Sequence, residues 1–228
     1  MITRKVLLLP GMTSPKFAPN YQKLYSTVKE GAEKYGYEYH IVYYPGQEGE
    51  SSGLLTYDGA LANALKKGSE MEPNWIVGLS SGCEVAAGLL GSGKPLIDNI
   101  EGAVLWGPCL KETIRSIFTP EEWQKYITDS KAEPNKTYFS PDFIENTPCV
   151  SELIKKAKAN IRIARGSNDK YNTVHDVVIT ANAHQEMNPQ YLTETREIEG
   201  LKHGVLPDEI SSELLDKYLK CLFDKFDN

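Results

Sequence analysis

Asn74-Trp75-Ile76-Val77-Gly78-Leu79-Ser80-Ser81-Gly82 runs directly into the small-residue segment Cys83-Glu84-Val85-Ala86-Ala87-Gly88. A short apolar run, a glycine-punctuated turn and a helix-forming stretch follow one another here without a gap. Read as strand, turn and helix, the centre is G-x-S-x-G, with Ser80 in the middle. The spacing has a steric reason. A serine on so sharp a strand-to-helix turn is forced into strained backbone angles, and a glycine two residues away on either side lets strand and helix approach without Cβ clashes. Ser80 is thereby lifted above the sheet edge, and the helix that begins at Ser81 aims its free N–H groups and positive dipole end at the same spot. A five-residue pattern also arises by chance in tight turns packed on glycines, so its flanks carry the weight.

Outward from this turn, the same alternation recurs along the chain. Strands are expected at Lys5 to Leu9, Tyr37 to Tyr44, Trp75 to Val77, Ala103 to Trp106, Ile161 to Ala164 and Thr195 to Ile198. Helices are expected at Tyr21 to Lys34, Tyr57 to Lys67, Cys83 to Leu90, His175 to Met187 and, closing the chain, Ser211 to Phe226, where Leu214, Leu215, Tyr218 and Leu222 recur at helical spacing. Strands alternating with crossover helices predict an α/β fold, a mostly parallel sheet of about six strands covered on both faces. The interval from Cys109 to Ala159 breaks the rhythm, with Phe118, Trp123, Tyr126, Ile127, Phe139 and Phe143 but no convincing strand. It is expected to be a helical insertion ahead of the next strand, either packed on the sheet or forming a lid whose inner face, with Trp123, Phe139 and Phe143, receives part of a substrate.

Two strand ends supply partners for Ser80. Ile161-Arg162-Ile163-Ala164-Arg165-Gly166-Ser167-Asn168-Asp169 delivers an aspartate just past a glycine, and Thr195 through Gly200-Leu201-Lys202-His203 delivers a histidine in the same way. In an open parallel sheet the carboxyl edge is where ligands bind. The order is therefore nucleophile, acid, base: Ser80, Asp169, His203. Asp176 competes as the acid but falls a turn into the following helix. His40 lies within an expected strand and His175 and His184 on a helix, where surface or hydrogen-bonded roles are the simpler reading.

With these residues placed, the chain resembles the α/β-hydrolase family over nearly its whole length, from Leu7-Leu8-Leu9-Pro10-Gly11-Met12 to the helix after His203. The resemblance implies a three-layer sandwich and an oxyanion hole built from the backbone N–H groups of Ser81 and Met12. Two departures stand out: Pro10-Gly11 replaces the His-Gly common in the family, and no strand precedes Lys5, so the sheet would lack the usual first two. The Pro-Gly loop and Ser-Ser-Gly elbow are also similar to the small serine hydrolases of the retinoblastoma-binding-protein type, whose insertion is shorter.

Composition bounds the rest. The 228 residues, 40% hydrophobic, suit a single domain spanning 1–228, since a core of this size buries about 70% of the unfolded chain's surface. A net charge of -6, with acids and bases mixed, provides no basic stripe for nucleic acid. The apolar run Val6 to Leu9 is too short for a signal-peptide core, and no run approaches a bilayer span, so a cytoplasmic location is expected. Cys83, Cys109, Cys149 and Cys221 have no metal-ligand spacing and read as free, mostly buried thiols. Without a secretory route the Asn135-Lys136-Thr137 sequon has no consequence. Gly88 to Pro95 nearly matches a phosphate-binding loop, but Pro95 stands where Ser or Thr must hold magnesium, and a helix precedes it. No metal or cofactor is expected. The expected function is serine hydrolysis of a small, apolar acyl ester or thioester. The alternative is a ligand-binding receptor or scaffold on the same fold, with little or no turnover.

Overall fold

The apolar runs do become the buried middle of a sheet. A computed structural model describes residues 4–11, 19–44, 54–94, 99–109, 119–122, 124, 138–139 and 147–226. Within them, strands β1 (Arg4–Leu9), β2 (Tyr37–Ile41), β4 (Trp75–Leu79), β5 (Gly102–Trp106), β7 (Asn160–Gly166) and β8 (Thr193–Ile198) form one sheet in the order β2-β1-β4-β5-β7-β8. Every neighbouring pair is parallel. β4 and β5 are buried at every position, as strands covered on both faces must be. The edge strands β2 and β8 alternate or expose polar residues instead.

Helices cover both faces. Side chains alternate along β1, so Leu7 and Leu9 join one core while Val6 and Leu8 join the other. The first core lies under α2 (Tyr57–Met71), α3 (Gly82–Leu90), α4 (Val150–Leu153) and α5 (Val174–Met187), through Ala60, Ala64, Val85, Leu89, Val150, Val177 and Ala181. The second lies under α1 (Pro19–Lys34) and α6 (Ser212–Phe223), through Leu24, Val28, Tyr218 and Leu222. Thr173 caps α5 in a reciprocal capping box with Asp176, and Ser211 caps α6. Such caps contribute about 1 kcal/mol each. Among the described residues no helix is long and apolar enough to cross a membrane.

Element bounds differ from the sequence expectation mainly at ends. β4 runs two residues further, to Leu79, and β2 stops at Ile41 although its apolar run continues to Tyr44. Val42 still donates to the Leu8 carbonyl at 3.0 Å, and Val42 and Tyr44 then pack into the first core. The 109–159 interval holds features its sequence did not reveal. Its last part is core: Val150, Ile154, Ala157 and Ala159 are buried beside α3 and α5. Tyr138–Phe139 forms a two-residue strand, β6, parallel to β3 (Leu54–Leu55) just before α2, so Phe139 lies in a second, two-stranded sheet. Two residues are too few to show a period. Trp123 and Phe143 lie outside the described residues, as does Met12.

Chain order puts a crevice beside β4. The chain goes from β1 outward to β2, then returns to the other side of β1 for β4 and continues through β5, β7 and β8. The carboxyl ends of β1 and β4 therefore flank the point where the winding reverses, the position at which open α/β sheets bind ligands.

Candidate active site

Ser80 stands at that reversal, immediately after β4, with a backbone φ of 53°. A left-handed angle is strained for a non-glycine residue, and the surroundings hold it in place. The Ser80 N–H donates to the Trp106 carbonyl at 2.9 Å, and the Ser80 carbonyl accepts from Cys83 N–H at 2.8 Å. The two flanking glycines are sterically required. A Cβ on Gly78 would lie 2.7 Å from the Gly82 carbonyl oxygen, and a Cβ on Gly82 would lie 2.1 Å from the Leu9 carbonyl oxygen. Gly11, past the end of β1, faces the nucleophile: a Cβ there would lie 3.1 Å from Ser80 Cβ.

Asp169 and His203 reach the same place from the ends of β7 and β8. Ser80 Oγ is 2.7 Å from His203 Nε2, and His203 Nδ1 is 2.8 Å from Asp169 Oδ2. The Asp169 side chain is 0% exposed and that of His203 17%, so the carboxylate is sealed while the imidazole stays partly open to solvent. The other carboxylate oxygen, Oδ1, accepts the backbone N–H groups of Tyr171 at 2.8 Å and Asn172 at 3.1 Å. With both oxygens bonded, the carboxylate cannot turn away from the imidazole without losing these bonds. The base loop is held as well, since Trp106 Nε1 donates to the His203 carbonyl at 3.1 Å.

Two contacts at the site were not singled out from the sequence. The Tyr171 ring meets the His203 imidazole edge-on, with centroids 5.3 Å apart. Gly107, with φ 66°, lies so close that a Cβ would sit 2.9 Å from His203 Nδ1. A glycine immediately after β5, in Trp106-Gly107-Pro108, was the available signal for the second.

The remaining sequence candidates fall elsewhere. Asp176 is engaged in the α5 cap, its Oδ2 accepting the Thr173 N–H at 2.7 Å. His40 pairs with Glu38 at 2.8 Å, His184 with Thr193 at 2.7 Å, and His175 is exposed on α5. Ser81 begins α3 with helical angles and makes no side-chain capping bond. Three residues past Ser80, burial and then Glu84 push the Cys83 thiol well above its ordinary range, which disfavours its thiolate. Cys109 is held up by the same two influences. Among the described residues no group of three or more His, Cys, Asp and Glu side chains could hold a metal ion.

No protein-family model matches the sequence, and no curated protein matches it. Solved structures do resemble the fold. An esterase from Pyrococcus furiosus, Pf2001, superposes with a TM-score of 0.67 at 16% identity, covering 96% of this chain and 80% of its own. Est1E from Butyrivibrio proteoclasticus, with ferulic acid bound, gives 0.65 at 17% identity, covering 95% and 88%. The monoacylglycerol lipase of Paleococcus ferrophilus gives 0.63 at 13% identity, covering 95% and 94%. At such identities the likeness speaks for architecture. This chain has the α/β-hydrolase fold.

Proposed function

We propose that the protein is a serine hydrolase that cleaves an ester or thioester of a small, apolar acyl substrate through an acyl-enzyme intermediate. One observation carries the reading: hydroxyl, imidazole and carboxylate are aligned at 2.7 and 2.8 Å on the carboxyl edge of the sheet. Esterases and a lipase among the structural neighbours support ester hydrolysis.

In this mechanism Asp169 keeps the proton of His203 on Nδ1, leaving Nε2 to accept from Ser80 Oγ–H. As Oγ attacks the acyl carbon, its proton passes to Nε2 and the carbonyl π electrons move onto oxygen. The Ser81 N–H, at the positive end of α3, and the Met12 N–H next to Gly11 are assigned to that oxyanion. Collapse expels the alcohol or thiol, which takes the proton from Nε2. Water, deprotonated by the same nitrogen, then releases the acid and restores Ser80. Asp169 holds the imidazole in place and stabilises the imidazolium that forms.

Labelling by a fluorophosphonate, which phosphorylates an activated serine, tests this reading directly. Wild type should label and hydrolyse p-nitrophenyl esters, and Ser80→Ala should lose labelling and about 10⁴-fold or more in turnover. A wild type that neither labels nor turns over would move the assignment to a ligand-binding protein on this fold.

A further inference from the structure

Arg165, next to last in β7, buries a guanidinium group where an apolar residue would serve a parallel strand more simply: the residue is 7% exposed. A buried charge is costly unless it is paired and hydrogen-bonded. Its partners lie in β8, the strand that leads to His203, and in the loop that carries Asp169. Nη1 donates to Glu197 Oε2 at 2.6 Å, and Glu197 is the residue opposite Arg165 in the β7-β8 register. Nη2 donates to two backbone carbonyls, Ser167 at 3.3 Å and Asp169 itself at 3.2 Å.

The acid loop is also joined to the loop leading to His203. Ser167 N–H donates to the Ile198 carbonyl at 3.0 Å and Asn168 N–H to that of Leu201 at 2.9 Å. Gly200 N–H donates to Ser167 Oγ at 2.9 Å. Arg165 lies beneath this seam and grips it at Glu197 on one side and at the acid's own carbonyl on the other.

We propose that Arg165 is a positioning residue for the hydrolysis, its guanidinium fork holding the Asp169 backbone so that Oδ2 meets His203 Nδ1. The inference rests on the assignment of Asp169 and His203 made above. Arg165 bonds the carbonyl of residue 169 and not its carboxylate, whose Oδ1 is oriented by the Tyr171 and Asn172 N–H groups. Its part is therefore placement of the loop. A planar fork can serve a carboxylate and two carbonyls together, which the single ammonium of lysine on its flexible stem does poorly.

The test is the pH profile of p-nitrophenyl acetate hydrolysis for wild type, Arg165→Met, Arg165→Lys, Asp169→Asn and Arg162→Met. Activity requires His203 to take the Ser80 proton, and its imidazole faces the Ser80 hydroxyl, the Asp169 carboxylate and the Tyr171 ring. Loosening Asp169 from the imidazole changes the base on which the reaction depends, so the acid limb of the profile reports it together with kcat. Arg165→Met should lower kcat about 10- to 100-fold with KM little changed and shift the acid limb in the same direction as Asp169→Asn. Arg165→Lys should fall between Arg165→Met and wild type. Arg162 is the matched control: it is also buried in β7 and paired with a β8 carboxylate, Glu194, but its other bonds go to the carbonyls of Cys221, Asp224 and Lys225 at the C-terminal end of α6. Arg162→Met should lower the melting temperature and leave the limb in place.

A folded Arg165→Met with wild-type kcat and limb would overturn the proposal, as would an Arg162→Met that moves the limb equally. If Arg165→Met does not fold, Arg165→Lys decides, and wild-type kcat with an unmoved limb there overturns it. An unmoved limb in Asp169→Asn would instead remove the triad assignment beneath it.

Discussion

Replacing Gly82 by alanine tests whether the elbow's geometry, and not only its serine, makes the site. The added Cβ would lie 2.1 Å from the Leu9 carbonyl oxygen and 2.7 Å from both the Leu9 carbonyl carbon and the Pro10 oxygen. Every one of these is a backbone atom, so no side chain can swing aside. Bringing the closest of these contacts past 3.0 Å, below which Cβ atoms essentially never sit, requires about 1 Å of separation between the start of α3 and the end of β1. The same movement separates Ser80 and Ser81 from Gly11, which in the proposed mechanism flank the carbonyl under attack. Overpacking of this kind costs about 1–3 kcal/mol, which for a chain of this length lowers Tm by roughly 2–12 °C. A misplacement of about 1 Å costs on the order of 10²-fold in rate. Gly82→Ala should therefore fold, melt several degrees lower and lose about 10²-fold in kcat/KM on p-nitrophenyl acetate, with fluorophosphonate labelling slowed in parallel. Gly93→Ala separates clash from backbone strain. Gly93 has φ 67° and open space around its Cβ position, so that variant should lose about 1 kcal/mol of stability and no activity. A Gly82→Ala protein with wild-type Tm and kcat/KM within threefold of wild type would refute the reasoning.

Other outcomes follow from burial. Desolvation lowers the His184 pKa below its ordinary 6.5, so the folded state keeps this imidazole neutral while the unfolded chain takes up a proton. Its contribution to stability is present above pH 6.5 and lost as pH falls through the folded pKa. Thermal melts between pH 7.5 and 5 should show this decline, and His184→Gln should flatten it; an unchanged slope would contradict the assignment. Cys83, Cys109 and Cys221 are buried and Cys149 is partly exposed. Burial also pushes the Cys221 thiol up to about 11. A thiol reagent at pH 8 should therefore modify Cys149 first, with all four reacting only after denaturation, and rapid loss of Cys83 in the folded protein would contradict this packing.

Much of this was legible in one dimension because the physics is local or periodic. The runs at β1, β4, β5 and β7 announce strands buried on both faces, and Gly78-Leu79-Ser80-Ser81-Gly82 announces a turn that only glycines permit. Even Asp169 and His203 could be chosen over Asp176 and His184, because a residue just past a parallel strand reaches the carboxyl edge, whereas one inside a helix is occupied there: Asp176 caps α5, and His184 bonds Thr193. What the chain could not announce is whatever depends on residues far apart arriving together. The Arg165 guanidinium reaching Glu197 on the next strand, Gly107 making room for His203 and the Tyr171 ring on the edge of that imidazole join segments distant in sequence. The pairing of Leu54–Leu55 with Tyr138–Phe139 spans more than eighty residues with too few positions to show a period. Periodicity reports which face of an element is buried, and only the folded chain decides which atoms that burial brings within hydrogen-bonding distance.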